Sequence, residues 1–451
     1  MRGIYIVLAG GLLAVGLIAA CDATKNSTFG DGDGDGTGGG STGACTTACE
    51  CSCDTGDTAC VEGTGAPLDC GAECAVACPS GQATAVQCVD MCGFTTSSGD
   101  GGSGILPVEP PCENSDPNDD GDGDGWTDAQ GDCNDCTEQM NPGALDYTGN
   151  VIDEDCNGVP DDNPVDCDGN LAYNSTDPMD GARAMDLCKV QAGESWGVES
   201  AQYLTIDGMP MNSAEFHVGH GILGGFGPTV NPQAGAKLFA VSSGSARAPS
   251  DPDYFDPSGF DKMYTTGTPP GYPKESPACP GVITGEAHDS IMLRLSIRTP
   301  TNAKSLRFNV NMYTWEFPGY ICSQYNDFLV ALLNPVLAGA TDANISYDIQ
   351  GNSLSVNAGF LEVCTPQMAG GKDFPCSLGP GQLAGTGFED HAATGWLQTT
   401  APVENPGSSI TIDFGAWDSG DGILDTTGLI DNFTFEVDET PTYTEPVPDP
   451  R

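Results

Sequence analysis

Apolar and polar residues alternate with a period of two through much of the C-terminal half of the chain. Ser290 to Ile297 places Ile291, Leu293, Leu295 and Ile297 on one face. Ser305 to Met312 sets Leu306, Phe308, Val310 and Met312 against Arg307, Asn309 and Asn311, and Ser409 to Phe414 repeats the pattern with Ile410, Ile412 and Phe414. Leu429 to Val437 ends the series with Phe433, Phe435 and Val437. Successive side chains of a strand point to opposite faces, so each run predicts a half-buried strand. Gly and Pro between the runs supply turns, and the fold class expected for 167–438 is mainly β: an antiparallel, jelly-roll-like β-sandwich. A short stretch near Met179 to Ala192 is the one helical expectation. The last residues, 439–451, read as a disordered tail.

Before residue 167 the pattern changes segment by segment. Ile4 to Ala20 is continuously apolar behind one basic residue and ends at Cys21, which reads as an export signal over 1–20. Residues 21–43 are a Gly- and Ser-rich flexible tether. Asp31, Asp33 and Asp35 within it have alternate spacing but no fourth acid or cysteine scaffold. Residues 44–93 are Cys-rich, with Cys74, Cys78, Cys88 and Cys92 spaced as pairs one helical turn apart. They suggest a small stapled helical hairpin, in which pairing Cys78 with Cys88 and Cys74 with Cys92 would bridge two antiparallel helices across Pro79-Ser80-Gly81; a metal cluster is the other reading, against which the absence of His and an oxidising exported context count. A linker, 94–111, precedes an acidic motif at 112–166.

That motif carries the clearest chemistry. Asp120, Asp122 and Asp124 alternate, Gly125 turns the chain, and Asp128 follows; a second copy has Asp153, Asp155, Asn157, Gly158 and Asp161. A hard cation takes six to eight oxygens, and alternating carboxylates folded back by glycine supply them. The carbonyls of Trp126 and Val159 complete the expected calcium ligand sets. Gly131 and Pro164 stand where an EF-hand has its bidentate Glu, so neither copy is an EF-hand. The other reading of the same residues is an acidic, Gly-rich linker.

Composition sharpens this. The chain has 451 residues, with 64 Asp plus Glu against 14 Lys plus Arg, for a formal net charge of −50. Such a charge opposes nucleic acid as a partner and favours cations. Of 21 cysteines, the 20 beyond Cys21 are an even number, as a disulfide-rich exported chain requires. Four other acids, Asp418, Asp421, Asp425 and Asp431, are candidates for a second metal site, with turn-capping as the competing role. Glu316 and Asp327 flank Tyr313, Trp315, Phe317, Tyr320 and Tyr325, which suits carbohydrate binding or simply a core. His217 and His220 lack the companions of a zinc site.

Three resemblances follow from these residues. The Ile18-Ala19-Ala20-Cys21 ending resembles the bacterial lipobox, which implies a lipid on Cys21 and a membrane as partner. DGDGDG at 120–125, GDCND at 131–135, NPGA at 141–144 and DEDCNG at 153–158 resemble thrombospondin type 3 calcium repeats and a metal-binding motif of secreted bacterial proteins. Residues 236–246, 288–318, 325–333 and 394–437 resemble the choice-of-anchor L domain of secreted bacterial proteins. The combined expectation is a lipid-anchored, calcium-binding protein of the bacterial cell envelope, on the outer membrane, displaying its sandwich to a carbohydrate or protein ligand. A polysaccharide hydrolase using acids of the sandwich, and a purely structural surface protein, are the alternatives.

Overall fold

The structure, a computed structural model, describes residues 116–161, 167–193, 195–348, 350–357 and 359–447, together with the backbone of four strands in the first hundred residues. The chain divides into two compact units, Met1–Pro107 and Val108–Arg451.

In the first unit, strands β1 (Ile4–Val7), β2 (Thr46–Cys53), β3 (Thr58–Thr64) and β4 (Ala83–Asp90) form one antiparallel sheet in the order β1-β3-β2-β4. This corrects the helical hairpin at one of its arms. Cys88 lies on β4, opposite Cys49 of β2. The β-branched residues Thr84, Val86 and Val89 favour extended backbone over the helix that the cysteine spacing alone suggested. Cys74, Cys78 and Cys92 lie outside the described residues, as does Cys21.

The second unit is mainly β. Its strands are β5 (Gly197–Leu204), β6 (His220–Leu223), β7 (Leu238–Ser242), β8 (Thr265–Thr266), β9 (Ala287–Arg298), β10 (Ser305–Thr314), β11 (Phe328–Asn334), β12 (Gln367–Ala369), β13 (Lys372–Phe374), β14 (Ala392–Ala393), β15 (Leu397–Pro402), β16 (Ser409–Ser419), β17 (Thr426–Glu436) and β18 (Tyr443–Pro446). One antiparallel sheet runs β18-β15-β10-β17-β7-β6, with β14 also on β10. A second runs β11-β16-β9-β5, with β8 on β9. The helix expected near Met179 shrinks to α1 (Pro178–Arg183), capped by the Asp177 side chain, which accepts from the Met179 amide. A second short helix, α2 (Ala214–His217), precedes β6.

The alternating runs place their apolar rows in one cluster fed by both sheets. Ile291, Leu293, Leu295 and Ile297 of β9 and Ile412, Phe414 and Ala416 of β16 join Leu306, Phe308, Val310 and Met312 of β10 and Phe433 and Phe435 of β17. Phe308 meets Phe414 edge to face, ring centroids 5.0 Å apart, and stacks on Phe433 at 6.2 Å. At Gly428 on β17, any side chain would collide with Leu329 of β11.

The outer faces of both sheets are covered as well. Tyr272 packs on Phe328 and Trp417 over one sheet, and Phe226 and Phe388 pack on Tyr313 over the other. Strands buried on both sides lose their alternation, which is why Phe328 to Leu333 of β11 reads as one apolar run. The chain past residue 438, expected to be a tail, adds β18 to the sheet edge, where the buried Thr444 and Thr399 hydroxyls lie 2.9 Å apart. Among the described residues, disulfides join Cys133–Cys156, Cys167–Cys188, Cys279–Cys322 and Cys364–Cys376. Among the described residues, no helix is long and apolar enough to cross a membrane.

Candidate metal centre

Residues 116–161 contain almost no regular structure, only a short 3-10 turn at Asp128–Gln130. Shape comes instead from carboxylates accepting backbone amides. Asp120 Oδ1 accepts from Gly123 N at 2.6 Å, and its Oδ2 from Gly125 N at 3.0 Å. Both glycines are left-handed, with φ of +86° and +96°, a conformation that side-chain-bearing residues rarely adopt. Asp122 Oδ1 accepts from Asp124 N at 3.1 Å, and Asp124 Oδ1 from Trp126 N at 2.7 Å. Alternate aspartates thus wind the loop so that their remaining oxygens converge.

They converge with acids that sequence spacing did not single out. Ligand atoms of Asp122, Asp124 and Asp132 lie within 4.8 Å of one another, as do those of Asp120, Asp122 and Asp135. Asp132 and Asp135, in the GDCND run, are buried and close the first site; Asp128, the expected fourth ligand, is exposed on the 3-10 turn outside both groups. In the second loop Asp153 and Asp155 group with Asp146. Asp161, expected as a ligand there, accepts backbone amides of Gly149, Asn150 and Val151. Asn157 Oδ1 accepts from Val159 N at 2.8 Å, and Val159 itself is exposed. Cys133–Cys156 ties the loops together.

Charge repulsion and burial leave these carboxylates poised for a cation. Burial, with the Asp124, Asp122 and Asp135 charges behind it, pushes Asp132 up to about 7. Burial is also the largest cause raising Asp122, Asp124 and Asp155. Asp122 Oδ2 and Asp132 Oδ2 are buried and have no hydrogen-bond partner. These acidic groups therefore have the ligand type and the spacing to hold a metal ion.

The first site is wired to the sheets. Asn141 Nδ2 donates to Asp124 Oδ2 at 2.7 Å, and Asn141 Oδ1 accepts from Thr301 Oγ1 at 2.7 Å. Thr301 and Asn302 form the turn between β9 and β10, where Asn302 Oδ1 accepts from Leu145 N at 2.8 Å and its Nδ2 donates to the Leu145 carbonyl at 3.0 Å. Lys189 Nζ lies 3.3 Å from Asp155 Oδ2 of the second loop.

The four acids near the C-terminus divide. Asp418 and Asp425 are buried at one end of the sheets, with Asp421 on the loop between them. Asp431 lies farther along β17, accepting from Gln233 N at 2.5 Å, and burial pushes it up to about 8. The aromatic stretch goes mostly to the core: Tyr313 and Phe317 are buried, as are Glu316 and Asp327, while Tyr320 is exposed. His217 and His220 bond to each other, Nδ1 to Nε2 at 2.8 Å, and His217 Nε2 meets Asn212 Oδ1 at 2.8 Å. No protein-family model, curated protein or solved structure matches the chain.

Proposed function

We propose that the chain is a lipid-anchored, calcium-ordered protein of the bacterial cell envelope that displays a β-sandwich for adhesion or ligand binding. The observation that carries this reading is the hydrogen-bonded path from Asp124 through Asn141 to Thr301. An ion seated among Asp122, Asp124 and Asp132 neutralises mutually repelling carboxylates and stiffens the loop that grips the β9–β10 turn. Oxygen-only ligands select a hard cation, and calcium accepts irregular geometry from flexible loops. The two sheets that share the Phe308, Phe414 and Phe433 cluster are, in this reading, the layers of a jelly-roll-like sandwich.

The anchor rests on the lipobox-like residues ending at Cys21, and the outer membrane surface is its assigned site. The resemblance to choice-of-anchor L domains supports display rather than catalysis. A polysaccharide hydrolase needs two carboxylates open to substrate. Glu316, Asp327, Asp418 and Asp425 are buried, which favours display.

Calorimetric calcium titration of the chain from Asp22 onward, with melting in calcium and in chelator, tests the reading. Saturable binding and a higher melting temperature in calcium are expected, because a ligand of the folded state stabilises it by mass action. Asp122→Ala with Asp124→Ala should remove the first-loop ion while the sheets stay folded. An unchanged stoichiometry would refute the assignment. Cys21→Ala should abolish incorporation of labelled fatty acid in a bacterial host.

A further inference from the structure

The two copies of the acidic motif fold on one hydrogen-bond frame. In DGDGDG at 120–125 the first aspartate, Asp120, accepts at Oδ2 from the sixth residue, Gly125 N, at 3.0 Å. In DEDCNG at 153–158, Asp153 Oδ2 accepts from Gly158 N at 2.7 Å. Both glycines are left-handed, with φ of +96° and +91°. At the third position Asp122 Oδ1 accepts from Asp124 N at 3.1 Å, and Asp155 Oδ1 from Asn157 N at 3.3 Å. At the fifth, Asp124 Oδ1 accepts from Trp126 N at 2.7 Å, and Asn157 Oδ1 from Val159 N at 2.8 Å. Local turns made by Asp and Asn side chains thus give both copies one shape.

They differ in charge. The fifth position is a carboxylate in the first copy and a neutral amide in the second. The free oxygen of the third position differs as well: Asp122 Oδ2 is buried with no hydrogen-bond partner, whereas Asp155 Oδ2 lies 3.3 Å from Lys189 Nζ. Lys189 is held in place by its surroundings. Its neighbour Cys188 is bonded to Cys167, and its carbonyl accepts from Val198 N at 2.8 Å. A side chain at Gly197 would collide with that carbonyl, so only glycine lets the start of β5 come this close. The ammonium stands 4.9 Å from the centre of the Trp196 ring, which meets Phe435 of β17 edge to face. Asp155 belongs to the group with Asp146 and Asp153 whose ligand atoms lie within 4.8 Å of one another. The chain itself therefore supplies a cation to one member of that group.

We infer that Lys189 is a tethered competitor at the second loop: its ammonium neutralises Asp155, and a calcium ion enters among Asp146, Asp153 and Asp155 only by displacing it. This rests on the reading of the acidic loops as calcium sites. Affinity in such loops follows the charge of the ligand set. With a neutral fifth position and an ammonium in competition, the second loop fills at a higher calcium concentration than the first. The protein then answers calcium in two steps, and the second step releases Lys189 from the loop.

Equilibrium dialysis of the full chain against calcium tests this, with Asp122→Asn and Asp132→Asn silencing the first loop. Adding Lys189→Met, which keeps a stem on Trp196 and removes the charge, should tighten the remaining site about three- to tenfold. Lys189→Arg keeps the charge and should give no such gain. Asp155→Asn should abolish the site in either background. An unchanged affinity in a folded Lys189→Met chain overturns the inference, as does the absence of any saturable site in it or an equal gain with Lys189→Arg. If Lys189→Met does not fold, Lys189→Gln replaces it and is judged the same way. Failure of the broader calcium reading shows elsewhere, as an unaltered chain that loses no calcium when the first loop is silenced.

Discussion

In the acidic loops the carboxylates are close in sequence and held in place by backbone amides, with the Cys133–Cys156 disulfide and almost no apolar core. At the strand ends the carboxylates come from Asp289 to Asp425, with no regular spacing, and are held by the packing of two sheets. The first arrangement is local and half-exposed; the second is long-range and buried. Local loops can form and dissolve with their ion, whereas a buried cluster is set once the sheets close over it. The protein thus places one group of carboxylates on a local scaffold open to its surroundings and another on the packing of its sheets.

The sharpest way to separate the two is to damage one scaffold. Phe414→Ala removes a fully buried ring that meets both Phe308 and Phe433, and should cost the sheets about 3–5 kcal/mol in denaturant unfolding. Calcium binding by the acidic loops should persist wherever the chain stays folded. Replacing Cys133 and Cys156 together by Ala frees a 23-residue separation, which should cost the loops about 3 kcal/mol and weaken their calcium binding while leaving the melting of the sheets nearly unchanged.

Protons compete with the ion at the first loop. Asp132 titrates near 7, above its unfolded value, so its ion-free contribution to stability is complete at acid pH and is lost as pH rises through about 7. In chelator the chain should melt higher at pH 5.5 than at pH 8. In calcium the order should reverse for the loops, since their affinity falls up to about tenfold per pH unit below 7 for each proton displaced. A smaller effect is expected from Asn141→Ala, which cuts the path from Asp124 to Thr301. It should cost about 1–2 kcal/mol and shrink the calcium-induced rise in melting temperature without changing stoichiometry. Smallest of all, Asp128→Ala should change stability by less than about 0.5 kcal/mol and leave the calcium count intact, because Asp128 is exposed and outside the ligand groups.

The sequence by itself determined β9, β10 and β16, which declare themselves through Leu293, Phe308 and Phe414 because mostly polar residues alternate with their apolar rows, although on β10 the polar Asn309 and Asn311 are buried as well. It also determined the first three candidate ligands of the loop, since Asp120, Asp122 and Asp124 sit within five residues and local turns bring them together. Tertiary structure alone decided the rest. Asp132 and Asp135 replace Asp128 because the 3-10 turn carries Asp128 outward while the chain folds back. Asp161, at ligand spacing, is drawn off by three backbone amides that need an acceptor. β11 lost its signature because loops cover its outer face, and β18 carries too little apolar pattern to announce a strand. Asp418 and Asp425 stand close enough in the sequence to be grouped, but Asp289 and Asp327 join them only through strand registers, and pairing across a sheet is fixed by contacts far apart in the chain.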